Sequence, residues 1–310
     1  MRSDRSWLIA TVATALVAAG LVAAANAYAD IYGVFRDPAH RALSVYGDDR
    51  VAKYLLSTRY VQANFDGVLI GSSMSANWDT GKMQSLHLYN ESLNGGNIVE
   101  EKAIVEHLLE RPGTRAALGV VHPFLTATHA FNTVQIGPRE IWGALGSQNL
   151  LDAYKSALKI RLGREPEAFD AAGAEDMGED AKKLNATLQA MMKPGADFEI
   201  DPIALAAYRD VVAALRARHI PIAFVIPPTS EPIFAPKRDA FRRYAQTLLE
   251  ARRPEEPVLD FSSDEFADFR KDVSQYSDGV HLHDSAARKL TAILDDHVRR
   301  WIAEGWLTQR

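Results

Sequence analysis

Gly67-Val68-Leu69-Ile70-Gly71-Ser72-Ser73-Met74-Ser75 is a short apolar run closed by a glycine and followed at once by serines. Four apolar residues bounded in this way suit a strand buried on both faces, the form found in parallel sheets. The form recurs at Leu118-Gly119-Val120-Val121, at Ile222-Ala223-Phe224-Val225-Ile226 and at Val258-Leu259-Asp260-Phe261. Segments with helical spacing of apolar residues, at 99–110, 203–219, 238–252 and 285–302, alternate with these runs. Strands separated by helices of that length predict an α/β domain, a parallel sheet with helices on both faces. About 100 residues separate the second and third runs, far more than one crossover helix needs. The excess at about 128–200 reads as an insertion. It has a helical pattern at 141–162, an acidic Gly- and Ala-rich stretch at 164–180, and a second helical pattern at 181–192. It is either a lid beside a site or a surface excursion.

The N-terminus has a different character. After Arg2 and Arg5 the chain runs from Trp7 to Ala25 without a charge, its polar side chains being Thr11 and Thr14. That length suits one crossing of a hydrocarbon core, and the arginines favour a cytoplasmic N-terminus. Residues 1–29 are therefore expected to be a single-pass anchor in a bacterial inner membrane, with everything after Asp30 in the periplasm. Ala25-Asn26-Ala27 and Ala27-Tyr28-Ala29 resemble cleavage sites, so a removed signal peptide and a secreted or periplasmic product are the alternative. Residues 30–62 read as a neck and 63–310 as the folded domain.

Composition excludes several chemistries. The 310 residues include no cysteine, so thiol nucleophiles, zinc-thiolate sites, iron–sulfur clusters and disulfides are out. A formal net charge of −5 gives no field that would recruit nucleic acid. No metal or other cofactor is implied.

Three segments could carry chemistry. The turn Gly71-Ser72-Ser73-Met74-Ser75 sits past the carboxyl end of a strand, where open α/β sheets bind ligands, and a helix entered there would aim N–H groups at a developing oxyanion. Its serines could equally cap that helix. In Tyr276-Ser277-Asp278-Gly279-Val280-His281-Leu282-His283-Asp284, an Asp three residues before a His allows the carboxylate to orient the imidazole toward a nucleophile. A surface turn, or metal binding by His281 and His283, are the other readings of that loop. Tyr89-Asn90-Glu91-Ser92-Leu93-Asn94-Gly95-Gly96-Asn97 precedes a helix and could lend an N–H to an oxyanion or be a simple tight turn.

Together the three segments resemble the SGNH, or GDSL-type, hydrolase family over most of residues 63–302. The resemblance implies a three-layer α/β/α sandwich with a mainly parallel, flavodoxin-like sheet. It puts Ser73 at the nucleophile position, Asp278 and His281 in the C-terminal Asp-x-x-His block, Gly95 at the oxyanion glycine and Asn90 at the start of that block. Ser72 stands where the family usually has Asp, and Met74 where it often has Leu. No Gly-x-Asn-Asp follows the second run, which leads instead into His122-Pro123-Phe124. Either His122 or Asn94 substitutes for the missing donor, or the domain is not catalytic. Tyr46-Gly47-Asp48-Asp49-Arg50 and Asp30-Ile31-Tyr32-Gly33 are similar to a divergent membrane-anchored group of bacterial SGNH-like proteins, relatives of the alginate acetylation proteins, which usually has Arg where Met74 sits.

The function implied is a periplasmic carbohydrate O-acetyltransferase or esterase. Its partners would be a carbohydrate or acyl-ester substrate, the inner membrane and polysaccharide biosynthesis machinery. A non-catalytic glycan-binding accessory protein is the alternative. Trp78, Trp142 and Phe124 could stack on sugar rings or pack internally, and Pro227-Pro228-Thr229-Ser230 could line the site or form a rigid strand exit.

Overall fold

The computed structural model describes residues 2–36, 46–127, 135–180 and 197–308, together with Gln189 and Lys193. The first helix, α1 (Arg2–Ala29), is long and apolar enough to cross a membrane, and none of its most apolar stretch is buried in the rest of the chain. Helix α2 (Asp49–Leu56) starts at Asp48, whose side chain accepts the N–H groups of Arg50 and Val51, and runs on through a π-helical turn, Ser57–Val61. This part of the expected neck packs inward, with Val51, Ala52, Tyr54, Leu55 and Leu56 buried against the sheet.

Five parallel strands form the sheet: β1 (Gly67–Ile70), β2 (Leu88–Asn90), β3 (Ala116–Val120), β4 (Ile222–Ile226) and β5 (Val258–Asp260). Their order is β2-β1-β3-β4-β5, with Gly67 in register with both Leu88 and Ala116, and Val120 with Val225. The edge strand β2 is the one the apolar runs do not announce, because only three residues pair. From β1 the chain goes out to β2 on one side and returns to β3 on the other. The crevice beyond the carboxyl ends of β1 and β3 is therefore the topological switch point, where sheets of this kind bind ligands.

The strands read as continuous apolar runs because each face meets its own core. Val68, Ile70, Ala117, Ile222 and Phe224 pack with Ile104, Val105 and Leu108 of α3 (Ile98–Leu108). The alternate residues Leu69, Leu118, Val120, Ala223 and Val225 pack into a second cluster with Leu290, Leu294 and Val298 near the C-terminus. Helix α3 is started by a reciprocal cap, Asn97 and Glu100 each bonding the other's backbone N–H.

The insertion contains α4 (Arg139–Gly143) and α5 (Gln148–Arg161). The helix expected at 181–192 lies outside the described residues save Gln189, which is helical. The acidic stretch between is tied down along its length. Ala172 O accepts Asn90 N–H at 2.7 Å on the open edge of β2, and Glu175 N–H donates to Ala76 O at 2.8 Å. Gly173 has a left-handed φ of +81° and lies so close to β2 that a Cβ there would come within 2.6 Å of Asn90 O. Three longer helices complete the fold: α6 (Pro202–Ala217), α7 (Arg238–Leu249) and α8 (Asp284–Ala303).

Candidate active site

Ser73 opens a 3-10 turn, Ser73–Ser75, three residues past the end of β1 at Ile70. Gly71 makes that turn possible, since a Cβ on it would fall 2.3 Å from Ser75 Oγ. Ser72 makes no side-chain cap, and Ser75 Oγ bonds Ser92 Oγ at 2.8 Å and Ser72 O at 3.2 Å. Ser75 thus belongs to the scaffold of the turn, while the buried Ser72 Oγ has no partner among the described residues. The third serine, Ser73, has its Oγ 2.8 Å from Nε2 of His281.

His281 is held from its other side. Its Nδ1 lies 2.8 Å from Asp278 Oδ2, while Asp278 Oδ1 accepts the backbone N–H groups of His281 at 2.9 Å and Val280 at 3.2 Å. Burial alone would push the Asp278 carboxyl up. The hydrogen bond and charge of His281, with those two N–H groups, outweigh burial and hold it below the usual carboxylate range. The loop is closed by an antiparallel bridge between Tyr276 and Leu282 and by Ser277 N–H donating to His281 O at 2.8 Å. Its bend, Gly279, has φ +90°, and a Cβ there would meet Ile233 at 2.7 Å. Ser230 N–H donates to Gly279 O at 2.9 Å, so the Pro227–Ser230 strand exit supports the Asp-x-x-His loop from behind.

The remaining expected residues separate into those beside the relay and those beneath it. Asn90 is fully buried: its amide donates to the carbonyls of Ser75, Ala76 and Trp78, and its Oδ1 accepts Ser92 N–H. It builds the turn from below and has no donor left for a substrate. Leu93 bridges Ser72 in parallel, and the exposed Asn94 and Gly95 continue from that pairing. Gly95 has φ +64°, Arg50 Nη2 donates to Asn94 O at 3.1 Å, and Asn94 Nδ2 donates to Glu175 Oε1 at 3.1 Å. Trp78 is fully buried in the core, whereas Phe124 is half-buried with its ring centroid 6.2 Å from that of His281.

His122 follows β3, the strand next to β1, and is buried. Its Nδ1 accepts Phe124 N–H at 3.3 Å, which assigns the ring proton to Nε2. Nε2 is buried and has no partner among the described residues. Burial, and secondarily the neighbouring His281, push its pKa down to about 3, so the ring is neutral at any working pH.

His283 precedes α8 as its N-cap residue without a side-chain cap. Asp284, in the first turn of α8, accepts the N–H groups of Met177 and Gly178 and the Nδ2 of Asn77, so its carboxylate anchors the insertion. Both ring nitrogens of His281 are engaged by Ser73 and Asp278. Among the described residues no group of three or more His, Asp or Glu side chains is arranged to hold a metal ion.

Several charged residues near the site escape the motif reading. Lys53 is fully buried and donates to Ser92 O at 2.6 Å and Gly173 O at 3.1 Å. Glu91 and Glu101 are equally buried. A lysine in an apolar stretch such as Val51 to Leu56 is the one local signal, a charge on a helix face that must point inward. Comparison of the chain with protein-family models gives no match, and comparison with curated proteins gives none.

Proposed function

We propose that the protein is a membrane-anchored acyl-ester enzyme of the SGNH type, a carbohydrate O-acetyltransferase or esterase acting on exopolysaccharide or cell envelope from the periplasmic face. The observation that carries the reading is the continuous relay from Ser73 Oγ through His281 to Asp278, each contact 2.8 Å, assembled from residues 208 positions apart. The switch-point location of Ser73 and His122 supports it, and with it goes the three-layer α/β/α arrangement of that family.

In this reading Ser73 Oγ attacks the acyl carbonyl carbon while its proton passes to His281 Nε2. Asp278 keeps the imidazole in the needed tautomer and stabilises the imidazolium. The tetrahedral oxyanion is met by the backbone N–H groups of Ser73 and Gly95 and by His122 Nε2–H in place of the missing asparagine. Collapse breaks the ester C–O bond, and His281 returns its proton to the leaving oxygen. Water or a sugar hydroxyl then gives a proton to His281 and takes the acyl group from Ser73, and His281 passes that proton to Ser73 Oγ as the acyl–Ser73 bond breaks. Polysaccharide biosynthesis machinery in the same membrane would supply the acyl donor or present the polymer.

The sequence His122-Pro123-Phe124 where an asparagine block is usual favours the competing reading, a non-catalytic glycan-binding accessory protein. One experiment separates them. The full chain in nanodiscs is treated with a fluorophosphonate probe and assayed with an aryl acetate, alongside Ser73→Ala and His281→Ala. Labelling and turnover that vanish in both variants support the enzyme. A folded wild type that neither labels, nor hydrolyses, nor transfers acetyl groups to added glycan favours the binding protein.

A further inference from the structure

Among the described residues beyond α1, the large apolar side chains left exposed are Trp142, Leu151, Leu158, Leu162, Ile203 and Val273. The first four belong to one hairpin, α4–α5. Helix α5 has an inner face, with Leu150 and Ala153 buried and Tyr154, Ala157 and Ile160 packed against the main core. Leu151, Lys155, Leu158 and Leu162 follow one another at spacings of three and four along a separate, exposed stripe. Isolated exposed leucines are ordinary; a stripe of them with a tryptophan is not.

The place of this hairpin says what the stripe faces. The uncharged run Trp7 to Ala25 spans about 28 Å as a helix, close to the ~30 Å of a hydrocarbon core. Asn26 therefore lies where α1 leaves the membrane. Its Nδ2 donates to Leu145 O, between α4 and α5, at 2.8 Å, and its Oδ1 accepts Tyr154 Oη–H at 3.2 Å. The hairpin is fastened at the level of the membrane surface. Residues 139–165 carry five cations against three carboxylates; Arg139, Lys155 and Lys159 pair with Glu140, Asp152 and Glu165, and Arg161 and Arg164 stand exposed at the end of the leucine stripe.

We infer that the α4–α5 hairpin is a membrane-surface element. Trp142, Leu151, Leu158 and Leu162 enter the interface of the bilayer that α1 crosses, and Arg161 and Arg164 meet anionic headgroups. The inference rests on reading α1 as a membrane span and is independent of the acyl chemistry. It has a structural consequence for the site. Segment 164–180 leaves α5 and ties to Ala76, Asn90 and Asp284, so a hairpin fixed to the lipid surface also fixes the Ser73 crevice in orientation and height relative to it.

The absence of cysteine allows single spin labels in the full chain. Leu16→Cys, Leu151→Cys, Leu158→Cys and Val273→Cys are each labelled and reconstituted in vesicles of phosphatidylglycerol and phosphatidylcholine. Collision rates with oxygen, which partitions into lipid, and with a water-soluble nickel chelate are then compared. The expected result is a high oxygen-to-nickel ratio at 16, a reversed ratio at 273, and an oxygen-favoured, shallow ratio at 151 and 158. Labels at 151 and 158 that behave like the one at 273, or that both reagents fail to reach because protein covers them, overturn the inference while the label at 16 stays deep. A nickel-accessible label at 16 overturns the membrane span itself and the inference with it.

Discussion

Lys53 Nζ donates to Ser92 O at 2.6 Å from a helix that precedes the first strand, and no part of its side chain reaches solvent. The same ammonium reaches Gly173 O, so one buried cation joins α2, the loop beside Ser73 and the insertion. Burial lowers the Lys53 pKa, and the charges of Glu91, Asp49 and Glu101 counter that effect. Replacing it with methionine orphans two carbonyls and, above about pH 8 where Glu91 ionises, also removes that carboxylate's counter-charge. We expect Lys53→Met to cost about 1–3 kcal/mol in urea unfolding near pH 7, and more at about pH 9. The triple variant Lys53→Met/Glu91→Gln/Glu101→Gln should match the single variant near pH 7 and recover the added loss at about pH 9. Equal losses in the single and triple variants at about pH 9 would mean that the charges are not coupled.

Asp278→Asn tests orientation of the base separately from its presence. The carboxylate accepts from His281 Nδ1 with one oxygen and from two backbone N–H groups with the other. An amide can keep the backbone bonds, but its NH2 then faces Nδ1 and selects the wrong imidazole tautomer. The expected outcome is a fall in kcat of roughly 10⁴-fold with KM and melting temperature little changed. A loss below tenfold would remove Asp278 from the relay.

The parallel sheet was legible because buried strands are short uninterrupted apolar runs, and Gly67–Ile70, Ala116–Val120, Ile222–Ile226 and Val258–Asp260 all have that form. The Asp-x-x-His spacing was legible for a local reason, since Asp278 bonds the backbone and ring of a residue three positions on. What was hidden depends on distant partners. Strand β2 pairs through three residues and takes the insertion at its open edge, which no local pattern encodes. Asn90 fits a glycine-block motif by position, yet the three carbonyls that occupy its amide come from the turn after β1. Lys53 is buried because its acceptors lie 39 and 120 residues away.

The buried carboxyls predict a stability that declines toward alkaline pH. Burial pushes the Glu91 carboxyl up to about 8 from an ordinary 4.5, with Lys53 offsetting part of the rise, and burial pushes Glu101 up as well. Between those values the folded chain holds a proton that the unfolded chain has released. The contribution is whole below about 4.5 and is lost as pH rises to about 8. Asp278 acts in the opposite sense, its stabilisation lost as pH falls below the ordinary carboxylate range. Urea midpoints should therefore drop between about pH 5 and about pH 8. Glu91→Gln should flatten that slope; an unchanged slope would show that Glu91 does not titrate in this window.

His122 offers the sharpest test of how the oxyanion is met. Its Nε2–H is buried beside the relay without a protein partner among the described residues, and an unpaired buried donor costs about 1–3 kcal/mol of stability. A donor left unpaired in the resting protein has a reason to be there if a ligand atom supplies the acceptor. His122→Phe keeps an aromatic ring against Phe124 and Phe241 while removing the donor. Turnover of an aryl acetate should fall about 10²- to 10³-fold in kcat with KM little changed, and folding stability should hold or rise. His122→Asn, which restores an N–H on a shorter arm, should recover part of the loss. The neutral ring should also leave the pH profile of the remaining activity unshifted in both variants. Full activity in His122→Phe would assign stabilisation of the oxyanion to the backbone of Ser73 and Gly95 alone.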